Sequence, residues 1–201
     1  MSVKSRQVEN SAATRAALIK IARKLFADRG YADTATEEVV RRARVTRGAL
    51  YHHFKDKQDL FKAVLLEEEK RLAAATTAVA ARQSDPWRAL AAGCDAFLSE
   101  CLNPAVQRIV LIDAPAVLGW EAYRQIDADY FLAGVISSIE AAIKAGLIPR
   151  QPVVPLAHII MGALHEASML IAHADDQVKA RREVSAVVDR LLSSIRTAHQ
   201  L

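Results

Sequence analysis

A short segment around residue 47 combines residue types that suit hydrogen bonding to the edges of DNA bases. Thr46 is a helix-capping residue type, and Arg47 and Gly48 follow it at the start of a predicted helix. An arginine guanidinium donates two hydrogen bonds to guanine O6 and N7, and a glycine lets the backbone approach closely. Base contacts of a helix in the major groove come mainly from its N-terminal residues. The segment therefore predicts a helix end that reads DNA.

Other residues near this helix have types that suit phosphate or base contacts. Tyr51 and His52 follow one turn later, within reach of phosphate oxygens or a thymine methyl group. Thr36 and Lys57 each start a predicted helix, where backbone N–H groups, a hydroxyl or an ammonium group meet phosphates. The alternatives are that Tyr51 packs in the core and that the arginines between the helices are solvated charge. His53 is expected to face solvent.

Two short helices position these side chains. The first is predicted over Thr36–Ala43, with Thr36 as its cap and Glu37 and Glu38 at the positive end of its dipole. The second is predicted over 47–53, and Phe54 after it is expected to fill the core between the helices. Two short helices joined by a turn of about three residues form a helix-turn-helix.

Helical periodicity continues through most of the remaining chain. A first helix is predicted from Thr14, as its cap, to Gly30, after a flexible arm over residues 1–13. Further helical segments are predicted at 57–82, 87–102, 105–112, 121–145, 155–173 and 178–198, with an irregular turn at 113–120. Neither strand alternation nor an internal repeat is recognisable, so the predicted fold is all-α.

The charge of the chain is unevenly distributed. Residues 1–60 carry 13 Lys and Arg against 7 Asp and Glu, although the net charge of the whole chain is only +4. All the surplus positive charge therefore lies in the first third, which indicates a polyanionic partner at that end. A solvated basic surface is the alternative. A hydrophobic fraction of 52% and a charged fraction of 25% exclude collagen-like and wholly disordered classes.

The sequence of Thr36–Lys57, with the preceding Leu25–Tyr31, resembles the N-terminal domain of the TetR family of one-component transcription regulators. The resemblance covers about residues 14–65. It implies a homodimeric repressor with nine or so helices, of which the first three bind DNA. It also implies a larger C-terminal domain that binds a small molecule and dimerises through the last two helices. Carried over by position, the implied DNA contacts are Thr36, Thr46, Arg47, Gly48, Tyr51, His52 and Lys57.

The turn of the motif departs from the family pattern at one position. The family usually has glycine where this chain has Arg44. A left-handed backbone at Arg44 costs roughly 1–2 kcal/mol because of its Cβ atom. The alternatives are a slightly opened turn or an added phosphate contact.

The C-terminal part has more apolar helical surface than the core of one small domain requires. An internal cavity and a subunit interface compete for this surface. Segments 155–173 and 178–198 carry stripes suited to a bundle between two subunits. The candidate contacts of a small-molecule effector are Phe97, Cys101, Trp120, Tyr123, His165 and Met169. For each of them, ordinary core packing is the alternative.

No metal or cofactor site is predicted from the sequence. His158, His165 and His173 lie two helical turns apart, too far for joint chelation of one ion. Cys94 and Cys101 are too few for a disulfide scaffold and are expected to be buried thiols in a reducing compartment. The common nucleophile, phosphate-binding and dinucleotide motifs are absent, so the sequence does not favour an enzyme.

Two domains are expected, a helix-turn-helix domain over 1–56 and an effector-binding and dimerisation domain over 57–201. The polar N-terminus lacks the apolar core of a signal peptide, and the charge-free stretch 151–165 is too short to span a bilayer. We therefore expect a cytoplasmic protein without membrane contact. The favoured function is repression by a homodimer that binds a near-palindromic operator and is released by a small molecule. A helical sensor or adaptor without DNA binding and a helical enzyme are the alternatives.

Overall fold

The computed structural model describes residues 3–196, which are almost entirely helical. Nine α-helices lie in this part of the chain: α1 (Val3–Arg29), α2 (Thr36–Ala43), α3 (Arg47–His53), α4 (Lys57–Ala80), α5 (Pro86–Glu100), α6 (Ala114–Leu118), α7 (Trp120–Lys144), α8 (Val153–Ala172) and α9 (Gln177–Ile195). A π-helix, Val106–Asp113, precedes α6 directly. The all-α prediction is confirmed.

Helix α1 begins much earlier than predicted. It starts at Val3, so the expected flexible arm is wrong for residues 3–13, while residues 1 and 2 lie outside the described residues. Thr14 is not a cap, because its hydroxyl donates to the carbonyl oxygen of Asn10 at 2.9 Å inside the helix. A threonine within a helix commonly bonds back by one turn in this way, and residues 3–13 contain neither Gly nor Pro to stop the helix.

The segment expected as a short helix and an irregular turn is helical throughout. The π-helix buries Val106, Ile109 and Leu111, and α6 continues from it until Gly119, whose φ is +82°. Pro115 lies in the first turn of α6 and lacks the N–H that an α-helix would use there. The wider hydrogen-bonding pattern before Pro115 is consistent with this missing donor.

The described chain forms two compact units. The first contains the chain up to Glu68 together with Pro104–Tyr123, and the second contains Glu69–Asn103 and the chain from Arg124 onward. The unit boundary therefore lies within α4, whereas the sequence interpretation placed it between residues 56 and 57.

The core of the first unit is built around aromatic side chains. Phe26 and Phe61 pack edge to face with ring centroids 5.2 Å apart, and Tyr31 lies 5.9 Å from Phe26 and 5.2 Å from Phe61. Leu50 of α3 is fully buried and Phe54 is 2% exposed, which confirms the expected role of Phe54 in the core. Burial of each such side chain contributes about 1.5–3 kcal/mol, which stabilises the packing of α3 against α1 and α2.

The second unit has its own apolar core. Its buried members come from helices α5, α7, α8 and α9, and include Trp87, Leu90, Ile139, Ile160 and Leu192. By length and composition alone, α8 also meets the criterion for a helix long and apolar enough to cross a membrane. A core helix of a soluble protein meets the same criterion, and α8 packs in this core.

Candidate nucleic-acid interface

The start of α3 is fixed by a side-chain cap. Thr46 has an extended backbone, and its hydroxyl oxygen accepts a hydrogen bond from the Ala49 N–H at 3.1 Å. Leu50 anchors the opposite face of α3 in the core. As a result, Arg47 and Gly48 lie exposed at a rigid helix end, as the sequence predicted for residues that reach into a groove.

The Arg47 guanidinium lies between an aromatic ring and a carboxylate. Its Cζ atom is 5.6 Å from the centre of the Tyr51 ring, within the range of a cation–π contact. Its Nη1 atom is 3.9 Å from Oε1 of Glu37, and the Arg47 side chain is 71% exposed. The Tyr51 ring and the Glu37 carboxylate therefore orient the guanidinium, while its N–H donors remain accessible to solvent.

Arg47 and Tyr51 belong to the wall of an open depression of about 150 Å³ between α2 and α3. Its lining residues are Thr36, Glu37, Val40, Arg41, Arg47 and Tyr51. The pKa of Glu37 lies below its ordinary value, mainly because its carboxylate accepts a hydrogen bond from its own backbone N–H. The Thr36 hydroxyl and the Arg47 charge act in the same direction, so Glu37 is negatively charged at neutral pH. The sequence reasoning missed Glu37 and Val40 as parts of this surface.

The turn between α2 and α3 adopts the left-handed conformation considered above. Arg44 has φ 56° and ψ 41°, and its N–H donates to the Arg41 carbonyl at 3.3 Å. The N–H of Val45 donates to the Val40 carbonyl at 3.2 Å. These two bonds form a Schellman motif, with arginine at the position that glycine usually occupies.

Other residues implied as DNA contacts have mixed surroundings. His52 is exposed, whereas His53 is half-buried and not solvated as expected. Thr36 is not the cap of α2, because Ala35 occupies that position and the Thr36 hydroxyl donates to Glu37 at 3.3 Å. A Cβ atom at Gly48 would lie 3.9 Å from Oγ1 of Thr46, which is an ordinary van der Waals contact, so a small side chain would fit there.

Lys57 is already engaged within the first unit. Its Nζ atom donates to the Ala32 carbonyl at 3.2 Å and lies 4.3 Å from the centre of the Tyr31 ring. Burial lowers the pKa of Lys57, while the charges of Asp33 and Asp113 act in the opposite direction. A phosphate contact by this ammonium group stays a prediction, and it requires exchange of the Ala32 bond or sharing of the donor.

Glu38 ties α2 to the end of α1. Its carboxylate lies 2.7 Å from the Arg29 guanidinium and 2.6 Å from that of Arg42, with Arg41 at 3.5 Å. Arg42 is therefore engaged by an acidic partner, whereas Arg41 makes a longer contact with Glu38 and remains 74% exposed to solvent. The neighbouring acids Glu37 and Glu38 thus have different surroundings, one near the Arg47 guanidinium and one within a network of three arginines.

The π-helix is attached to the end of α1 by polar contacts. The Tyr31 N–H donates to a carboxylate oxygen of Asp113 at 2.7 Å, and Nε of Arg108 donates to the same oxygen at 3.4 Å. Gly30 has φ +83°, and a Cβ atom there would overlap with the Arg108 guanidinium. The sequence reasoning missed Asp113 and Arg108, since neither belongs to a recognisable motif.

The six effector-contact candidates lie in different units. Phe97, Cys101, His165 and Met169 belong to the second unit, where Phe97 packs on Phe131 with ring centroids 6.2 Å apart. Trp120 and Tyr123 belong to the first unit, with rings 5.8 Å apart; Trp120 is 55% exposed and Tyr123 is buried.

Burial changes the pKa values of four side chains in the second unit. Burial raises the pKa of Asp127 to about 6 and lowers the pKa of His165, and the positive charge of Arg124 lowers both. Burial likewise raises the pKa of Cys94 and Cys101 to about 12. Within residues 3–196, no group of three or more His, Cys, Asp or Glu is arranged to hold a metal ion.

Helices α8 and α9 leave apolar side chains exposed. Ile159 and Leu170 on α8 are 69% and 56% exposed, and Val187 and Leu191 on α9 are 46% and 55% exposed. Val187 and Leu191 are one turn apart and share a face of α9. Exposed apolar surface of this extent is typical of an interaction site.

Comparison with known protein families gives two matches that together cover most of the chain. Residues 87–195 match the family described as tetracyclin repressor-like, C-terminal domain. Residues 18–64 match the family described as bacterial regulatory proteins, tetR family. The second match contains α2, the turn and α3.

Similar individual proteins are found among both curated sequences and solved structures. The transposon Tn10 TetC protein of Escherichia coli is 29% identical over 144 residues, which is 72% of this chain and 73% of TetC. The transcriptional regulator AcrR of Shigella flexneri is 45% identical over 51 residues, 25% of this chain and 24% of AcrR. The crystal structure of a TetR-family regulator from Pectobacterium atrosepticum is 34% identical with a TM-score of 0.83, and covers 94% of this chain and 97% of that one.

Proposed function

The chain belongs to the TetR family of helix-turn-helix transcriptional regulators, and we propose that it represses transcription as a homodimer that a small molecule releases from operator DNA. The exposed Arg47 guanidinium at the capped start of α3 carries this proposal. It combines a donor group suited to guanine with the surplus positive charge of residues 1–60. Regulators of this family are not enzymes, and its members are soluble proteins. We place the protein in the cytoplasm, where the DNA is.

The proposed dimer pairs α8 and α9 of one subunit with those of its partner. The exposed apolar side chains of the two helices support this arrangement, because a four-helix interface would remove them from water. Two reading helices related by a two-fold axis fit half-sites about 34–36 Å apart, so the operator is expected to be near-palindromic.

The proposed effector acts through residues that include Phe97, Cys101, His165 and Met169, with Trp120 and Tyr123 as further candidates. To change the operator-competent population from 99:1 to 1:99, the effector needs a preference of about 5.5 kcal/mol between two conformations. Burial of about 200 Å² of additional apolar surface in one conformation supplies this at about 25 cal/mol per Å². Helix α4 is continuous from Lys57 to Ala80, and we propose that this helix transmits the conformational change caused by the effector to the DNA-binding helices.

The test is binding of the full-length protein to its own upstream DNA, measured by fluorescence anisotropy at increasing salt. If each subunit neutralises about four phosphates, the logarithm of affinity falls with the logarithm of salt concentration at a slope near −7. A flat salt response, or no binding to any duplex, contradicts the proposal and favours a sensor or adaptor that does not bind DNA.

The Arg47→Ala substitution tests the reading role directly. The affinity should fall by about 1–3 kcal/mol per half-site, and the preference at one base position should relax. Arg150→Ala is the matched control, because Arg150 is exposed and lies outside the first unit. Unchanged sequence preference in Arg47→Ala would exclude this residue from base recognition.

A further inference from the structure

Glu37 is an acidic side chain on the surface that we expect to face DNA. Its side chain is 65% exposed, it lines the depression beside α3, and its Oε1 atom lies 3.9 Å from Nη1 of Arg47. A carboxylate close to the phosphate backbone is repelled by it. A negative charge at this place therefore weakens general DNA binding, and its benefit has to lie in a more specific contact.

The loose contact leaves both members of the pair available. At 3.9 Å the two groups attract each other without a hydrogen bond, so the guanidinium donors and the carboxylate acceptors are not used up by each other. Tyr51 supports the other side of the guanidinium. Glu38 contrasts with this, since its carboxylate is engaged by arginines of α1 and α2 and has a structural role.

A guanine–cytosine pair presents the complementary groups in the major groove. Guanine offers the acceptors N7 and O6, and cytosine offers a donor at its N4 amino group. Arginine is the usual partner of guanine N7 and O6, and a glutamate carboxylate accepts from cytosine N4. Thymine O4 and the guanine atoms N7 and O6 are acceptors and would be repelled by the same carboxylate, whereas the adenine N6 amino group is a donor like cytosine N4.

From this arrangement we propose that Glu37 is a specificity-determining residue. Its carboxylate accepts a hydrogen bond from the N4 amino group of the cytosine that pairs with the guanine bound by Arg47. The Arg47–Glu37 pair then selects guanine and cytosine together, and it disfavours operators that place thymine or guanine opposite the carboxylate. This inference rests on the proposed DNA-binding function and adds a base preference to it.

The test starts from a library of randomised duplexes, from which the full-length wild-type protein selects its preferred sequence. Affinities for that duplex and for each of its single-base variants are then measured for wild type, Glu37→Gln, Glu37→Ala, Arg47→Ala and the double variant with both sites changed. Glu67→Gln is the matched control, because it makes the same charge change at an exposed position of α4. Circular dichroism verifies that each variant is folded.

We expect both Glu37 variants to lose about tenfold of the preference for cytosine at one position, while affinity for random-sequence DNA stays equal or rises. In Glu37→Gln, the amide both donates and accepts, so thymine and guanine, which offer acceptors, become tolerated there. In the Arg47→Ala background, a Glu37 substitution should cause no further loss of the cytosine preference. Without the Arg47 guanidinium beside it, the Glu37 carboxylate no longer has a fixed place at the base edge.

The possible failures are distinguishable. If the wild-type protein selects no sequence, the DNA-binding function itself fails. If Arg47→Ala relaxes one guanine position while both Glu37 variants keep every base preference, the function stands and the role of Glu37 is overturned. If Glu37→Gln loses the same cytosine preference with and without Arg47, the two side chains act independently, and the proposal of joint base recognition is overturned.

Discussion

Arg44 ends helix α2 in a backbone conformation that glycine adopts at much lower cost. Substitution Arg44→Gly removes a left-handed penalty of roughly 1–2 kcal/mol, offset in part by the greater freedom of glycine in the unfolded chain. We expect the free energy of unfolding to rise by about 0.5–1 kcal/mol in urea denaturation. Arg41→Gly is the control with the opposite sign. Because Arg41 lies within helix α2, this substitution should lower the free energy of unfolding by about 1 kcal/mol. A decrease in Arg44→Gly would show that the arginine side chain stabilises the turn.

Burial changes the pH range in which Asp127 is charged. Its pKa in the folded protein is about 6, above the ordinary value of 3.8, so the folded state binds the proton more tightly than the unfolded state. This contribution to stability is present below about pH 4 and is lost as the pH rises to 6. Asp127→Asn should therefore stabilise the protein by about 1–2 kcal/mol at pH 8 and leave it unchanged near pH 3.5.

The comparison needs thermal or urea unfolding of both proteins across this pH range. Asp129→Asn is a suitable control, because it makes the same chemical change at an exposed position two residues away. A destabilised Asp127→Asn at pH 8 would mean that the Arg124 ion pair, at 3.7 Å, outweighs the cost of burial.

The residues of the candidate DNA-binding surface at α2 and α3 were predictable only in part from the sequence. The placement of Thr46, Arg47 and Gly48 at the start of α3 could be predicted from the local sequence, because the Thr46 cap determines where the helix begins. Glu37 was interpreted only through the helix dipole, since its approach to Arg47 depends on the angle between α2 and α3. That angle is set by tertiary packing and has no local signal.

At the scale of elements, the junction of α1 and the π-helix depends on a glycine. Gly30→Ala introduces a side chain at φ +83° and displaces the Arg108 guanidinium from its place near Asp113. We expect a loss of about 2 kcal/mol or more in the free energy of unfolding. Gly134→Ala in α7 is the matched control and should stabilise by about 0.5–1 kcal/mol, because its Cβ meets open space. Equal effects at the two glycines would contradict the proposed strain.

The bounds of the elements follow from local signals where such signals exist. Helices α2 and α3 have the predicted ends, because a cap, a turn and a buried aromatic residue mark them. The early start of α1 was missed since Thr14 resembles a cap and the preceding residues are polar. The π-helix had no signal beyond Pro115, since its apolar residues fit an ordinary buried α-helix equally well.

At the scale of the whole molecule, the apolar face of α8 and α9 predicts the state of association. Leu191→Glu places a charge at the centre of the proposed interface, where it would be buried without a partner. We expect a monomer in sedimentation velocity and a large loss of affinity for the two-site operator, since one reading helix alone remains. Leu191 is 55% exposed in the single chain, so the fold itself should be preserved.

Leu191→Met keeps the interface apolar and serves as the control. A Leu191→Glu protein that sediments as a dimer would place the interface elsewhere. The division of the chain into compact units was less predictable than this face, because α4 carries no Gly or Pro where one unit ends and the next begins, and the charged run 67–71 at that place continues the helix.

The burial of Cys94 and Cys101 limits the kinds of signal that they can receive. Burial raises the pKa of both thiols to about 12, so they are protonated at pH 7, whereas the thiolate is the form that reacts with peroxides and electrophiles. These two sulfurs are therefore poor oxidant sensors, and alkylating reagents should modify them only when the protein unfolds.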